Sequence, residues 1–295
     1  MILINSRQSR QKKQDVEYMT FLKRIAHLLG ASALMGGLAT VAQAAQPTEW
    51  SLGLQEAATP VMEQIAEFHT LLMYIITGVT LLVLFLLLYV MFRFSEKRNP
   101  NPSTTSHNTL IEIIWTAVPV IILVIIAIPS FKLLYAADRN PDTEMTIKAI
   151  GKQWYWSYEY QDHGDFTFDA YMKAEDELEP GEPRLLATDN AVVVPIDTKI
   201  RLLVAGDDVI HSFAMPAFGL KLDAVPGRIN ETWFEATKTG TYYGQCSEIC
   251  GTGHSYMPIM IKVVSKEEFN VWVEAAKEEF AAIKSDHSIQ LAQLD

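Results

Sequence analysis

The sequence predicts a two-helix transmembrane hairpin followed by an all-β Greek-key domain that a C-terminal helix closes. Three observations carry this. Residues 71–92 and 113–131 contain no charged side chain, and at about 1.5 Å rise per residue each run is long enough to cross a hydrocarbon core of about 30 Å. From Ala136 onward the chain turns acidic and strand-like, with 27 Asp and Glu against 14 Lys and Arg, a net of −13. Near the end, Phe269, Trp272, Val273, Ala276 and Phe280 recur at helical spacing.

Taken in order, the chain starts with a polar and basic stretch. Lys23 and Arg24 then precede a run to Ala42 without Lys, Arg, Asp or Glu, and the triplet Ala42-Gln43-Ala44 follows. A short apolar region ending in small residues is the pattern of a cleaved secretory signal. Residues 1–44 therefore read as a signal peptide, with Met19 as an alternative start. A first membrane helix is the competing reading, weakened by Gly30, Gly36 and Gly37. Residues 45–68 form an outer N-terminal segment, and 69–136 the hairpin. Arg93, Lys97 and Arg98 follow the first span, so the positive-inside rule puts the connecting loop in the cytoplasm and both chain ends outside. A removable signal predicts the same topology independently. Pro119 and Pro129 lie in the second span, where neighbouring helices must re-satisfy the freed backbone groups, which predicts packing against a larger membrane partner. Glu112 sits at the cytoplasmic end of that span, where an interfacial carboxylate exposed to water is the simplest reading.

Residues 137–266 read as the β domain. Strand-like runs at 145–150, 192–195, 199–204, 232–235 and 258–264 are separated by turn signals such as Pro180-Gly181, Gly206-Asp207 and Pro226-Gly227. Trp154, Trp156, Tyr158 and Tyr160 alternate as one buried face of a strand would. Residues 267–295 form the closing helix and a tail. The acidic balance excludes nucleic acid as a partner and favours a basic one.

Both cysteines of the chain fall in one short stretch, GQCSEICGTGHSYMPIM, as Cys246 and Cys250, with His254 and Met257 after them. An exported Cys pair usually oxidises, yet a disulfide closing three intervening residues stabilises weakly. Two thiols, an imidazole and a thioether are soft or borderline donors that suit copper. A further donor must come from upstream, and His211 in DVIHSF qualifies, because antiparallel pairing of its strand could bring it beside the Cys loop. With His211 the set would also make a closed tetrahedral zinc site. Met257 argues for copper, since a thioether is a poor zinc ligand.

The runs QCSEICGTGHSYMP, DVIHSF, GLKLDAVPGR and GKQWYWSYEY together resemble subunit II of cytochrome c oxidase, the copper-bearing subunit of haem-copper terminal oxidases, from about Trp50 to Trp272. The resemblance implies a cupredoxin-like outer domain. It implies that Cys246 and Cys250 bridge two coppers of a CuA centre. His211 and His254 each bind one copper, Met257 is a weak ligand to one, and the backbone carbonyl of Glu248 is a weak ligand to the other. The Glu248 carboxylate is implied as a ligand to magnesium at the subunit I interface, with the haems and CuB held only in subunit I. By the same resemblance Trp154 is where an electron arrives from cytochrome c, which docks on Glu159, Asp189, Asp207 and Asp208. Asp223 and Arg228 lie on the route to haem a, and Glu112 lies at the mouth of a proton-uptake channel. The implied partners are subunit I, subunit III, cytochrome c and membrane lipid, in a bacterial inner membrane with the copper domain on the periplasmic side. The whole complex would reduce oxygen to water and pump protons. A quinol oxidase subunit II would lack the copper ligands, the copper domain of nitrous oxide reductase would lack the hairpin, and a metal-binding protein without a redox role would not need Met257 or the Trp154 cluster.

Overall fold

A computed structural model describes residues 46–292, with side chains described to Phe280. The predicted signal peptide, residues 1–44, therefore lies outside the described residues. Two long helices come first, α1 (Pro60–Arg93) and α2 (Thr109–Asp138). Helix α1 starts where it does because Thr59 accepts a hydrogen bond from the Met62 N–H and Pro60 occupies the first turn, where its missing N–H costs nothing. Asn108 caps α2 by accepting from the N–H groups of Leu110 and Ile111. Helix α2 runs unbroken through Pro119 and Pro129 and buries none of its residues, while α1 buries only Val61 and Met62. Helices this apolar, packed on each other with their Leu, Ile and Val side chains exposed, are not the core of a water-soluble domain. They match a lipid environment, and both apolar runs seen in the sequence lie within them.

The outer domain is a sandwich of two five-stranded sheets. Its strands are β1 (Met145–Lys152), β2 (Tyr155–Tyr160), β3 (Phe166–Ala170), β4 (Val192–Pro195), β5 (Lys199–Gly206), β6 (His211–Met215), β7 (Leu220–Ala224), β8 (Asn230–Glu235), β9 (Gly240–Cys246) and β10 (Pro258–Val264). One sheet has the order β3-β2-β1-β5-β8 and the other β4-β10-β9-β6-β7. The chain crosses between them after β3, β4, β5, β7 and β8, which is the predicted Greek-key weave. Two pairs, β1 with β5 and β4 with β10, are parallel, since crossing connections can bring strands alongside in the same direction.

Alternation builds the core. Strand β1 buries every second residue, and Ile147, Ala149, Trp156, Tyr158, Ile200, Leu202 and Phe234 from one sheet face Phe213, Met215, Ile259 and Ile261 from the other. Helix α3 (Lys266–Ala292) covers one end, laying Phe269, Val273, Ala276 and Phe280 on the core, with the Phe280 ring stacked 4.8 Å from Phe168. The segment before α1 ties the hairpin to this sandwich. The Ala58 N–H donates to the Ala217 carbonyl at 2.9 Å, the Ala58 carbonyl accepts from the Thr237 N–H at 2.9 Å, and the buried Thr59 hydroxyl donates to the Phe218 carbonyl at 2.8 Å.

Trp154 departs from the expected alternation. It lies in the turn between β1 and β2, and only Trp156, Tyr158 and Tyr160 occupy the buried face. The reason is chain reversal: β1 pairs with β2 up to Lys152 and Tyr155, so residues 153 and 154 must make the bend.

Candidate metal centre

The donor set is assembled by strand pairing. Strand β6 starts at His211 and runs antiparallel to β9, which ends at Cys246, with Phe213 opposite Cys246. The ligand loop then leaves β9, bends at Gly251 with φ 118°, makes a short 3-10 turn at His254–Tyr256 and returns as β10. The upstream histidine is thus delivered as its strand context suggested. One ring nitrogen of His211 and the sulfurs of Cys246 and Cys250 all lie within 4.8 Å of one another, and all three residues are buried.

The sulfurs are 3.9 Å apart and the thiols are free, about twice the length of a disulfide bond. The other donors gather around them. The Glu248 carbonyl oxygen lies 3.4 Å from the Cys246 sulfur. Nδ1 of His254 is 3.7 Å, and the Met257 sulfur 3.5 Å, from the Cys250 sulfur. Asp208 accepts a hydrogen bond from Nε2 of His211 at 2.8 Å, while Nδ1 of His211 is buried without a partner among the described residues. A buried imidazole nitrogen with no hydrogen bond is costly unless something else satisfies it. A soft metal held beside the two sulfurs would do so, and a carboxylate on the far nitrogen is the usual way a histidine ligand is oriented. The residues present therefore fit copper, and their number exceeds what one tetrahedral ion uses.

Electrostatics divide the thiols. Burial opposes ionisation of Cys246, but contacts with His211, the backbone at Glu248 and Ser212, and His254 outweigh it and lower the thiol to about 6. Burial and then the charge on Cys246 push Cys250 up to about 12. The first proton thus leaves Cys246 readily, and a cation must supply the attraction that removes the second. Burial also opposes protonation of His211, yet contacts with Cys246 and Asp208 leave its value raised.

Trp154 covers the loop. Its indole N–H donates to the Cys250 carbonyl at 3.2 Å, and its ring lies so close to Gly253 that an added Cβ would stand 2.3 Å from Cγ and Cδ2. Gly151 opens similar room, because a Cβ there would come within 2.8 Å of the His211 ring. Trp156 stands edge-on to His211 with ring centroids 6.1 Å apart.

The remaining residues singled out in the sequence are spread more widely. Glu248 is exposed beside the ligand loop. Glu159 pairs with Lys148 at 3.1 Å, Asp189 accepts from the N–H groups of Tyr171 and Asn190 at 2.7 Å each, and Asp207 is 4.0 Å from Lys152. Asp208 is committed to His211. Asp223 and Arg228 are exposed on and just after β7, the strand beside β6. Glu112 is half-buried in the first turn of α2 and accepts from the Asn108 N–H at 3.3 Å. Sequence reasoning missed Gln153, Gly151, Gly253 and the inward role of Asp208. The spacing of Asp208 three residues before His211 was visible, but a solvated carboxylate looks the same in a sequence.

Comparison with known proteins places the chain in a family. Residues 145–264 match the family described as "Cytochrome C oxidase subunit II, periplasmic domain", and residues 47–133 match its transmembrane domain. A probable cytochrome c oxidase subunit 2 of Rickettsia bellii is 48% identical over 264 residues, covering 90% of this chain and 96% of that protein. The cytochrome c oxidase subunit 2 of Oenothera berteroana is 50% identical over 236 residues, covering 78% of this chain and 91% of that protein. Among solved structures, the periplasmic domain of subunit II of cytochrome oxidase from Bradyrhizobium japonicum is 58% identical, covering 48% of this chain and 99% of that one, with a TM-score of 0.46. The chain belongs to the cytochrome c oxidase subunit II family, a membrane-anchored component of a haem-copper oxidase.

Proposed function

We propose that this chain receives electrons from cytochrome c through a binuclear copper centre, CuA, and passes them to haem a of subunit I, where oxygen is reduced. The observation that carries the reading is the unpartnered, buried Nδ1 of His211 facing two free thiols 3.9 Å apart. Copper held there supplies one-electron exchange. The protein contributes rigidity: every donor comes from a strand end or from a loop tied to Trp154, so the donors have little freedom to move when charge changes.

Cysteines 246 and 250, histidines 211 and 254, Met257 and the Glu248 carbonyl form the ligand set. Trp154 is the point of electron arrival, since it is partly exposed and its indole N–H is bonded directly to a ligand residue's carbonyl. A basic cytochrome c approaches the acidic outer face. With Glu159 and Asp208 already paired, Asp207, whose side chain is 65% exposed, is the freest of the four docking carboxylates. The exposed Glu248 carboxylate holds magnesium against subunit I, and Asp223 and Arg228 line the way to its haem. Glu112 serves at the opening of the proton path. The loop between the helices faces the cytoplasm and the copper domain faces the periplasm of a bacterial inner membrane, where subunits I and III enclose the hairpin. A quinol-oxidising relative would not need this donor set.

Copper titration followed by electron paramagnetic resonance tests the reading. A purple protein with two coppers and a mixed-valence signal is expected, and a colourless zinc-loaded protein overturns it. Trp154→Phe is expected to slow electron arrival about tenfold, equivalent to about 1.4 kcal/mol of barrier, with copper content retained. Stopped-flow mixing with reduced cytochrome c measures this, and a salt series should weaken docking, because long-range attraction between exposed charges is screened.

A further inference from the structure

We infer that Gln153 is a positioning residue of the metal centre, a tie that holds the histidine side and the cysteine side at fixed separation. The inference rests on the copper reading above and deepens it.

Pairing of β6 with β9, and the Ser247 N–H donating to the Ser212 carbonyl at 3.0 Å, already join the two sides at their strand ends; Gln153 adds a second link, between the loop before β6 and the loop after β9. Asp208, in the loop before β6, holds His211 through Oδ1. Its other oxygen, Oδ2, accepts from the backbone N–H of Gln153 at 2.7 Å. The side chain of the same glutamine reaches the opposite way, and its Nε2 donates to the Cys250 carbonyl at 2.7 Å. One residue therefore links Asp208, and through it His211, to the backbone of Cys250. The left-handed bend at Gly251 makes this possible, because a Cβ there would come within 3.1 Å of the Gln153 amide nitrogen. The amide is required by its chemistry: a carbonyl needs a donor, and an apolar or anionic side chain of the same length offers none. Trp154, the next residue, donates to the same carbonyl at 3.2 Å; the Gln153 bond, at 2.7 Å, is the shorter of the two, and its loss leaves the carbonyl with only the longer one.

Gln153 is itself exposed, so its replacement leaves the core intact. The test uses the full chain in detergent, loaded with copper, comparing Gln153→Leu and Gln153→Glu with the unaltered protein. Both variants are expected to lose copper to an excess chelator about tenfold faster, within the range that loss of an outer hydrogen-bond partner costs a metal site. Both should also alter the copper hyperfine pattern in electron paramagnetic resonance, while the KM for cytochrome c holds. Unchanged copper release and an unchanged spectrum in both variants overturn the inference. So does a KM rise with copper release unaffected, which would make Gln153 a docking residue. Failure of the unaltered protein to bind copper is a different result, and it overturns the copper reading itself.

Discussion

Cys246→Ser is expected to empty the metal centre. The Cys246 sulfur is the donor that ionises first, because His211 and the neighbouring backbone favour its thiolate over the opposing effect of burial. It is also one of the chain's only two cysteine sulfurs, both of which would hold the proposed copper. A serine hydroxyl stays protonated near neutral pH and is a hard donor, so it replaces neither the charge nor the softness of the thiolate. Copper affinity should fall by more than the roughly 100-fold that loss of a mere outer partner costs, and electron transfer from cytochrome c should stop. Metal analysis after dialysis checks the first, and rapid mixing the second. The fold should survive, since the change only exchanges one sulfur for an oxygen at the last residue of β9, and unaltered far-ultraviolet circular dichroism would show that. Retention of two coppers and the mixed-valence signal would remove Cys246 from the ligand set.

Gly253→Ala is expected to separate electron arrival from copper binding. The added methyl would stand 2.3 Å from two ring atoms of Trp154, a contact so short that the ring or the loop must move. Trp154 is the member free to move, because it is only partly buried and sits in a turn, whereas the loop is anchored by donors on both sides. Displacing the ring breaks its hydrogen bond to the Cys250 carbonyl. The rate of reduction by cytochrome c should fall about 10-fold to 100-fold, the scale on which misplacing a reactive group by about 1 Å acts. Copper content should hold, because Gln153 still ties the loop. Rapid mixing gives the rate, and tryptophan fluorescence reports the displaced ring. An unchanged rate with a shifted ring would mean that electrons reach the copper by another path.

How the sequence compares with the structure depends on the range of each interaction. The two spans were legible because a lipid core demands a long uncharged run, which any window of sequence displays. The cysteines, His254 and Met257 were legible because their chemistry is rare and their spacing short. His211, thirty-five residues before Cys246, was reached only by assuming an antiparallel return, which β6 and β9 supply. Trp154 was placed on a buried strand face because alternation continues through it in the sequence, although the chain reverses at residues 153 and 154.

The sequence by itself determined the two membrane-length helices, the cysteine, histidine and methionine donor types of the loop and the strand-rich domain, since each depends on side-chain type and local period. Only the tertiary structure decided that Asp208 accepts from His211, that Gln153 meets both Asp208 and the Cys250 carbonyl, and that Gly253 makes room for Trp154. Asp208 and His211 are three positions apart, but the other approaches join residues 55 to 99 positions apart. An aspartate, a glutamine or a glycine carries no local mark of the neighbour that folding will bring to it.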